Sequence, residues 1–277
     1  MNCYRSVLSR DGVRLHLAEA GNVAAPGIIF IHGTGSSHRI WQPQLSSAEL
    51  QQFHLVAYDL RGHGQSDVPL ADSSYQQGQH WADDLAAVMA ATNIKQPVIV
   101  AWSYGGRTVC DYLRHYHGKQ LAGINFIAAG TLAAPQALGP GYPVLHELFN
   151  PDLPERQLAE HRFAELLQLP ESADPALTEL LLQDLQRVSL TTRSAMRQRP
   201  LDYGDILAEL ELPVLLSHGL QDPIVKPVLA ELLLEHLINA TVNWYPTAGH
   251  MPFLQQAALF NQQLAEFVEA CQAQLRS

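Results

Sequence analysis

The stretch P-V-I-V-A-W-S-Y-G-G, residues 97–106, places a run of apolar residues directly before a serine and two glycines. A short apolar run that ends in small residues predicts a buried strand turning sharply into a helix. Ser103 stands at the tip of that turn, where its hydroxyl is clear of both elements. Gly105 leaves the side opposite the serine without a Cβ, and Gly106 lets the new helix pack closely on its neighbours. The turn therefore predicts an accessible serine, although so short a match is weak evidence for catalysis by itself.

Composition narrows the class of protein. The chain has 277 residues, which suits one large α/β domain or a core domain with an insertion. Its 17 Lys and Arg against 27 Asp and Glu give a net charge of 17 − 27 = −10, which argues against nucleic acid or an anionic membrane as a partner. No apolar stretch resembles a signal peptide or approaches the roughly 18 residues of a membrane helix, so we expect a soluble, cytoplasmic protein. The sequence does not determine the oligomeric state.

The three cysteines, Cys3, Cys110 and Cys271, are widely separated and form no C-x-x-C pair. This pattern favours reduced thiols over a disulfide framework or a zinc site. His115 and His117 invite a metal hypothesis, but residues two apart on a helix point in different directions. We therefore predict neither a metal nor an organic cofactor.

Strand and helix patterns alternate along most of the chain. Residues 3–9 and 13–20 alternate apolar and polar residues around Asp11-Gly12, which predicts an antiparallel hairpin at the edge of a sheet. The fully apolar run at residues 27–31 predicts a strand covered on both faces. Further strands are predicted at residues 53–58, 97–102, 124–129, 213–217 and 241–245. Helical patterns separate most of these runs, so we expect an α/β fold whose eight-stranded sheet is mostly parallel and has helices on both faces.

The alternation breaks between about Thr131 and Leu210. This stretch is rich in proline and then carries leucine-rich helical runs such as residues 176–188, with no convincing strand. It predicts a helical insertion above the carboxyl edge of the sheet. The chain is then divided into a core, residues 1–130 and 211–277, and a helical cap (lid), residues 131–210.

Two further strand ends supply partners for Ser103. A serine hydroxyl is a weak nucleophile, so a base must take its proton and a third group must orient that base. Asp222 follows the strand at 213–217 within H-G-L-Q-D-P, and His250 follows the strand at 241–245 within P-T-A-G-H-M-P. Parallel strands bring their carboxyl ends to one edge of the sheet. We therefore predict Ser103 as nucleophile, His250 as base and Asp222 as the group that orients it.

The order serine, acid, histidine and the motifs around it resemble the α/β-hydrolase superfamily. The matching motifs are H-G-T-G at 32–35, D-L-R-G-H-G-Q-S at 59–66, A-W-S-Y-G-G at 101–106, H-G-L-Q-D-P at 218–223 and G-H at 249–250. Ala101 stands where the G-x-S-x-G pattern has its first glycine, which is a mild departure. The likeness covers nearly all of the chain outside the insertion and implies the α/β-hydrolase fold. Within the superfamily, the chain resembles small carboxylesterases, cofactor-free haloperoxidases and carbon–carbon bond hydrolases.

The resemblance also implies the remaining site residues. The backbone N–H groups of Thr34 and Tyr104 are expected to form an oxyanion hole. Gly33, Trp102 and Met251 are expected to line the substrate pocket. His32 and the loop at 59–66 are expected to be structural, the loop being held by an Asp/Arg network.

These expectations indicate a serine hydrolase that cleaves a small ester through an acyl-enzyme. The apolar and aromatic residues of the insertion favour a small, uncharged acyl group. Perhydrolysis and carbon–carbon bond cleavage use the same triad and stay open as alternatives. A non-catalytic ligand receptor on the same fold is a third interpretation, against which the complete triad argues.

Overall fold

A computed structural model describes residues 2–276, apart from the side chain of Ser172. One eight-stranded sheet runs through it in the order β1-β2-β4-β3-β5-β6-β7-β8. The strands are β1 Cys3–Leu8, β2 Arg14–Gly21, β3 Gly27–Ile31, β4 His54–Tyr58, β5 Val98–Trp102, β6 Gly123–Ile127, β7 Val214–Gly219 and β8 Ala240–Tyr245. β2 pairs antiparallel with β1 and β4, and the other pairs are parallel. The predicted α/β-hydrolase sheet with an antiparallel edge hairpin is confirmed.

Helices connect the strands and close the chain. They are α1 Gln42–Leu45, α2 Ser73–Gln76, α3 Gly78–Thr92, α4 Gly105–Tyr116, α5 Tyr142–Glu147, α6 Leu153–Leu166, α7 Pro175–Arg187, α8 Leu190–Arg197, α9 Gly204–Ala208, α10 Val228–His236, α11 Pro252–Gln255 and α12 Ala257–Gln274. Short 3₁₀ turns occur at His38–Trp41, Pro135–Ala137 and Pro170–Ser172. The single closing helix predicted over 253–275 is wrong, because Gln256 leaves the helical region at φ −131° and ψ 48° and separates α11 from α12.

Two hydrophobic clusters cover the two faces of the sheet. Ile29 and Ile31 of β3 belong to one cluster, and Ile28 and Phe30 belong to the other. Successive side chains of a strand point to opposite faces, so this alternation assigns one cluster to each face. Burial on both faces explains why the central strands β3 and β5 are continuous apolar runs.

Residues 131–210, which we call the helical segment, form helices α5–α9 and contain no strand. An isolated antiparallel β-bridge pairs Leu138 with Val225, which lies in the loop between β7 and α10. The segment contributes Met196 and Tyr203 to one hydrophobic cluster and Leu181 to the other. The helical segment therefore contributes to the hydrophobic clusters on both faces of the sheet.

The loop at 59–66 is held by an Asp/Arg network, as expected, and by a second set of hydrogen bonds. Arg61 is buried and pairs with Asp84 at 2.6 Å and with Asp11 at 2.9 Å. Asp59 instead accepts hydrogen bonds from the backbone N–H of His38 at 2.6 Å and of Gln65 at 2.8 Å. Two separate networks thus shape this loop.

No helix among residues 2–276 combines the length and the apolar character that crossing a bilayer requires.

Candidate active site

Ser103 lies one residue beyond β5 and two residues before α4. Its φ of 53° is in the left-handed region, which is uncommon for a residue with a side chain. Its backbone N–H donates to the carbonyl of Ile127 on the neighbouring strand at 2.9 Å. A Cβ on Gly105 would lie 2.8 Å from the carbonyl oxygen of Ile31, so only glycine fits on this side of the turn. The predicted sharp turn is present, and Ser103 is half-buried at its tip.

Asp222 and His250 form a buried pair at the same edge of the sheet. His250 Nδ1 lies 2.7 Å from Asp222 Oδ2, and the two residues are 2% and 5% exposed. The other carboxylate oxygen, Oδ1, accepts from the backbone N–H groups of Ile224 at 2.8 Å and Val225 at 2.9 Å. These bonds fix the carboxylate, and the carboxylate fixes the imidazole with Nδ1 as donor, which leaves Nε2 as acceptor.

Close packing of two loops brings the pair together. A Cβ on Gly219, at the end of β7, would lie 2.1 Å from the carbonyl oxygen of Gly249, so the loops after β7 and β8 touch backbone to backbone. The indole Nε1 of Trp102 donates to the carbonyl of His250 at 2.9 Å. This bond ties the histidine loop to the residue directly before Ser103.

The environment of Asp222 favours its ionised form. Burial acts to raise the pKa of Asp222, but His250 and His218 beside it outweigh burial and hold the pKa below its ordinary value. His218 Nε2 lies 3.5 Å from Asp222 Oδ2. Asp222 is thus a fixed anion suited to stabilise a cationic imidazole.

Ser103 is not hydrogen-bonded to His250. The hydrogen bonds of Ser103 within the described chain are those of its backbone, while His250 is bonded through Nδ1 and its carbonyl. Catalytic hydrogen bonds are often long without substrate and tighten in the complex. The structure brings Asp222 and His250 into contact and places Ser103 directly after Trp102, whose indole is bonded to the carbonyl of His250.

Two backbone donors from different elements lie at the cavity that Ser103 lines. Within residues 2–276, neither the N–H of Thr34 nor that of Tyr104 donates to a backbone hydrogen bond in a turn or loop. Tyr104 immediately precedes α4, where the first N–H groups of a helix have no internal partner. Thr34, Tyr104 and Ser103 line one cavity. Two free donors beside a serine are the arrangement that an oxyanion requires.

His32 shapes the loop that carries Thr34. Its Nδ1 donates to the carbonyl of Gly33 at 2.8 Å, and its Nε2 accepts from the N–H of Leu60 at 3.0 Å. Both nitrogens of the neutral ring are therefore occupied, and burial lowers the pKa of His32. This geometry agrees with the structural role expected for His32.

The cavity beside Ser103 has two adjoining compartments. The smaller, of about 110 Å³, is lined by Ser103 and by apolar residues such as Leu132, Ile224 and Val225. The larger, of about 250 Å³, extends under the helical segment past His63. Thr34, Tyr104, Arg107, Tyr142, Leu145 and Leu201 line both compartments. Core and helical segment thus enclose the space together.

The residues predicted to line the pocket lie elsewhere. Gly33, Trp102 and Met251 line neither compartment. Met251 is fully buried in the core, and Trp102 borders only a void of about 10 Å³. Gly33 packs directly on Ser103, since a Cβ there would lie 3.1 Å from the serine Cβ. Gly33 and Trp102 instead contact the backbone segments that carry Ser103 and His250, and a role of these three residues in binding substrate stays a prediction.

The structure also adds Arg107 and Arg197, which the sequence analysis missed, to the cavity lining. Arg107 stands four residues after Ser103, at a spacing that places it near the start of α4. That spacing from Ser103 could have identified Arg107 from the sequence as a residue near the site. Arg197 had none, because nothing in the helical segment distinguishes a cavity arginine from a surface one.

One group among the described residues has the spacing of metal ligands, namely His16, His38 and Asp59. Asp59 Oδ1 already accepts from the backbone and from the ring Nδ1 of His38, at 2.6 Å and 2.8 Å. These hydrogen bonds explain the cluster, so we assign no metal to it.

Comparison with known proteins gives a consistent result. A model of the alpha/beta hydrolase family matches residues 28–263. A putative aryl esterase from Burkholderia cenocepacia is 34% identical, with a TM-score of 0.89 and coverage of 98% of this chain and 100% of that chain. The esterase RhEst1 from Rhodococcus sp. ECU1013 is 27% identical, with a TM-score of 0.89 and coverage of 97% and 99%. The AB hydrolase superfamily protein YisY of Bacillus subtilis (strain 168) is 26% identical over 253 residues, which are 87% of this chain and 90% of that protein.

Proposed function

The chain belongs to the alpha/beta hydrolase family, and on that premise we propose that it is a serine hydrolase that cleaves small carboxylic esters through an acyl-enzyme. Ser103 is the nucleophile, His250 the general base and Asp222 the residue that orients the base. The two similar structures, a putative aryl esterase and an esterase, support the ester as substrate class.

The observation that carries this proposal is the buried contact of 2.7 Å between Asp222 and His250 at the edge of the sheet where Ser103 follows β5. A carboxylate bonded to Nδ1 leaves Nε2 to take a proton from a serine hydroxyl. The left-handed turn at Ser103 supports its role, because strained residues of this kind concentrate at functional sites.

Acylation proceeds with His250 Nε2 taking the proton of Ser103 as Oγ bonds to the carbonyl carbon of the ester. The carbonyl oxygen becomes an anion, which the N–H groups of Thr34 and Tyr104 stabilise. Loss of one such donor costs on the order of 3–4 kcal/mol of barrier. His250 then gives its proton to the departing alcohol oxygen, and Asp222 stabilises the imidazolium until it does so.

Deacylation repeats these steps with water. His250 takes a proton from the water as its oxygen attacks the acyl carbon, and the proton passes to Ser103 Oγ as the acid leaves. No residue outside the triad and the two N–H donors is needed for proton transfer.

We also propose that the helical segment is a cap that selects the substrate. Tyr142, Leu145 and Leu201 of the segment line both compartments of the cavity, opposite Thr34 and Tyr104 of the core. Changes in these residues would alter which ester fits while leaving the triad in place.

The test is turnover of 4-nitrophenyl butanoate by the natural protein and by Ser103→Ala. We expect loss of at least about 10³-fold in kcat for Ser103→Ala, and covalent labelling of the natural protein by a fluorophosphonate. The exposed Ser73 offers a matched control, and Ser73→Ala should behave as the natural protein does. Full activity of Ser103→Ala would refute the triad. Peracid formation from acetate and hydrogen peroxide that exceeds ester turnover would favour the perhydrolase alternative, and absence of labelling would favour a receptor.

A further inference from the structure

The lining of the cavity has the opposite charge to the molecule as a whole. The chain carries a net charge of −10. Of the described residues that line the two compartments, none is acidic, while Arg107, Arg193, Arg197 and Arg199 are among them. A cavity of one sign concentrates ligands of the other sign.

Two of these arginines are neutralised by partners. Arg193 pairs with Glu160 at 2.8 Å and also donates to the carbonyl of Leu148. Arg199 pairs with Asp111 and donates to the hydroxyl of Tyr104 at 2.7 Å. Each arginine is paired with a carboxylate, which offsets its charge, so both serve the packing of the helical segment on the core.

Arg107 has no such partner. Within residues 2–276 it forms no ion pair, and its guanidinium lies 5.1 Å from the centre of the Tyr104 ring. It is half-buried and lines both compartments. The guanidinium of Arg107 is held against an aromatic ring, and its N–H donors are free. In a largely apolar cavity, such a group is suited to bidentate binding of a carboxylate.

The position of Arg107 on its helix strengthens this reading. It is the third residue of α4, where the positive end of the helix dipole disfavours a cation. An anion bound there would be stabilised by both the guanidinium and the helix end. Arg197 lines the larger compartment and is exposed, and its guanidinium lies 5.1 Å from the centre of the Phe149 ring. It extends the positive potential of the cavity toward solvent.

We infer that this cavity binds a carboxylate, so that the preferred substrate is an ester with one small apolar part and one part that carries a free carboxylate held by Arg107. The inference rests on the proposed esterase function and names its substrate class. The smaller compartment beside Ser103 takes the uncharged part, and the larger compartment, which both Arg107 and Arg197 line, takes the charged part. Arg197 guides the anion toward Arg107.

Two matched pairs of esters test this inference and locate the carboxylate. The first pair is 4-carboxyphenyl butanoate and its neutral carboxamide, which place the group in the leaving alcohol. The second is ethyl hydrogen hexanedioate and its carboxamide, which place it in the acyl part. In one pair we expect kcat/KM for the carboxylate to exceed that for the carboxamide by about tenfold or more.

Arg107→Gln should lower that ratio of carboxylate to carboxamide by about tenfold. Arg10 is exposed and lines neither compartment, so Arg10→Gln is the matched control and should keep the ratio. Equal ratios in the natural protein and Arg107→Gln would overturn the assignment of Arg107. If the carboxamides are hydrolysed and neither carboxylate is preferred, this inference alone is overturned. If none of the four esters is cleaved, the proposed function is overturned as well.

A measurement on the natural protein avoids any question of whether the variant folds. Salt screens the attraction of an exposed arginine for an anion. Raising sodium chloride from about 20 mM to about 0.5 M should lower kcat/KM for the preferred carboxylate ester by about threefold or more, with little change for its carboxamide. The same salt response for both members of the pair would contradict the inference.

Discussion

Ser103 joins a backbone conformation to a chemical role. A left-handed conformation costs a residue with a side chain roughly 1–2 kcal/mol, and Ser103 holds a φ of 53°. The hydrogen bond from its N–H to Ile127 and the close approach of Gly105 to β3 keep it there. The strain directs the hydroxyl away from β5 and α4 and toward the cavity, which is consistent with a nucleophile.

Asp222→Asn separates orientation of the base from its presence. An amide that donates to Nδ1 would leave the proton on Nε2, so His250 could no longer accept from Ser103. We expect kcat for 4-nitrophenyl butanoate to fall by about 10³–10⁴-fold. Asp72 is exposed and makes no capping hydrogen bond, so Asp72→Asn serves as the control. A loss smaller than about tenfold would remove Asp222 from the proposed triad.

His63 makes stability depend on pH. Burial, together with neighbouring His32, lowers the pKa of His63 to about 3. The unfolded chain takes up this proton below about pH 6.5, whereas the folded chain resists it, so the folded state loses stability as pH falls through that range. The limit for one group is about 1.4 kcal/mol per pH unit.

We therefore expect the free energy of unfolding of the natural protein to fall more steeply below about pH 6 than that of His63→Asn. Urea unfolding at several pH values between about 7 and 4 measures this difference. His115 is exposed, and His115→Asn should follow the natural curve. Parallel curves for the natural protein and His63→Asn would contradict the prediction.

At the scale of elements, the β5–α4 turn depends on the absence of a side chain at its first helical residue. A Cβ on Gly105 would lie 2.8 Å from the carbonyl oxygen of Ile31 and 3.0 Å from that of His32. Both contacts are with backbone, which has little freedom to move. Gly105→Ala should lower the free energy of unfolding by about 1–3 kcal/mol and also lower kcat, because Ser103 is displaced.

Gly204 provides the matched control, since it is the first residue of α9 and a Cβ there would meet no atom closer than 3.4 Å. Gly204→Ala should change the free energy of unfolding by no more than about 0.5 kcal/mol. Thermal or urea unfolding of the two variants makes the comparison. Equal effects would mean that the turn tolerates a side chain.

The elements themselves were largely predictable because each strand carries its own local pattern. The apolar run at 27–31 and the turn at Ser103 can be read without knowing their neighbours. The cavity was less predictable because it is formed between elements distant in sequence, α4 and the helical segment. Trp102 illustrates this, since its position beside Ser103 suggested the pocket, yet its indole bonds to the carbonyl of His250 instead. The sequence likewise favoured an uncharged acyl group, because the arginines that line the cavity come from α4 and from the helical segment, which meet only in the folded chain.

At the scale of the whole molecule, the helical segment and the sheet share one interior. Met196 packs in the cluster on one face of the sheet, and Phe163 and Leu181 pack in the cluster on the other. The buried Arg199–Asp111 pair also joins the segment to α4. A segment that contributes to both clusters does not have a separate core, so we expect it to unfold together with the sheet.

This expectation can be tested because the four tryptophans, Trp41, Trp81, Trp102 and Trp244, all lie outside residues 131–210. Tryptophan fluorescence therefore reports on the core and on the contact between Trp81 and Arg199 of the segment, while far-ultraviolet circular dichroism reports on all helices, α5–α9 included. The two urea transitions should coincide, as in two-state unfolding. Leu181→Ala removes a buried side chain of the segment and should shift both midpoints together, with a loss of about 2–5 kcal/mol. An earlier transition seen by circular dichroism alone would show instead that the segment opens by itself, which would make it a lid that is stable only while closed.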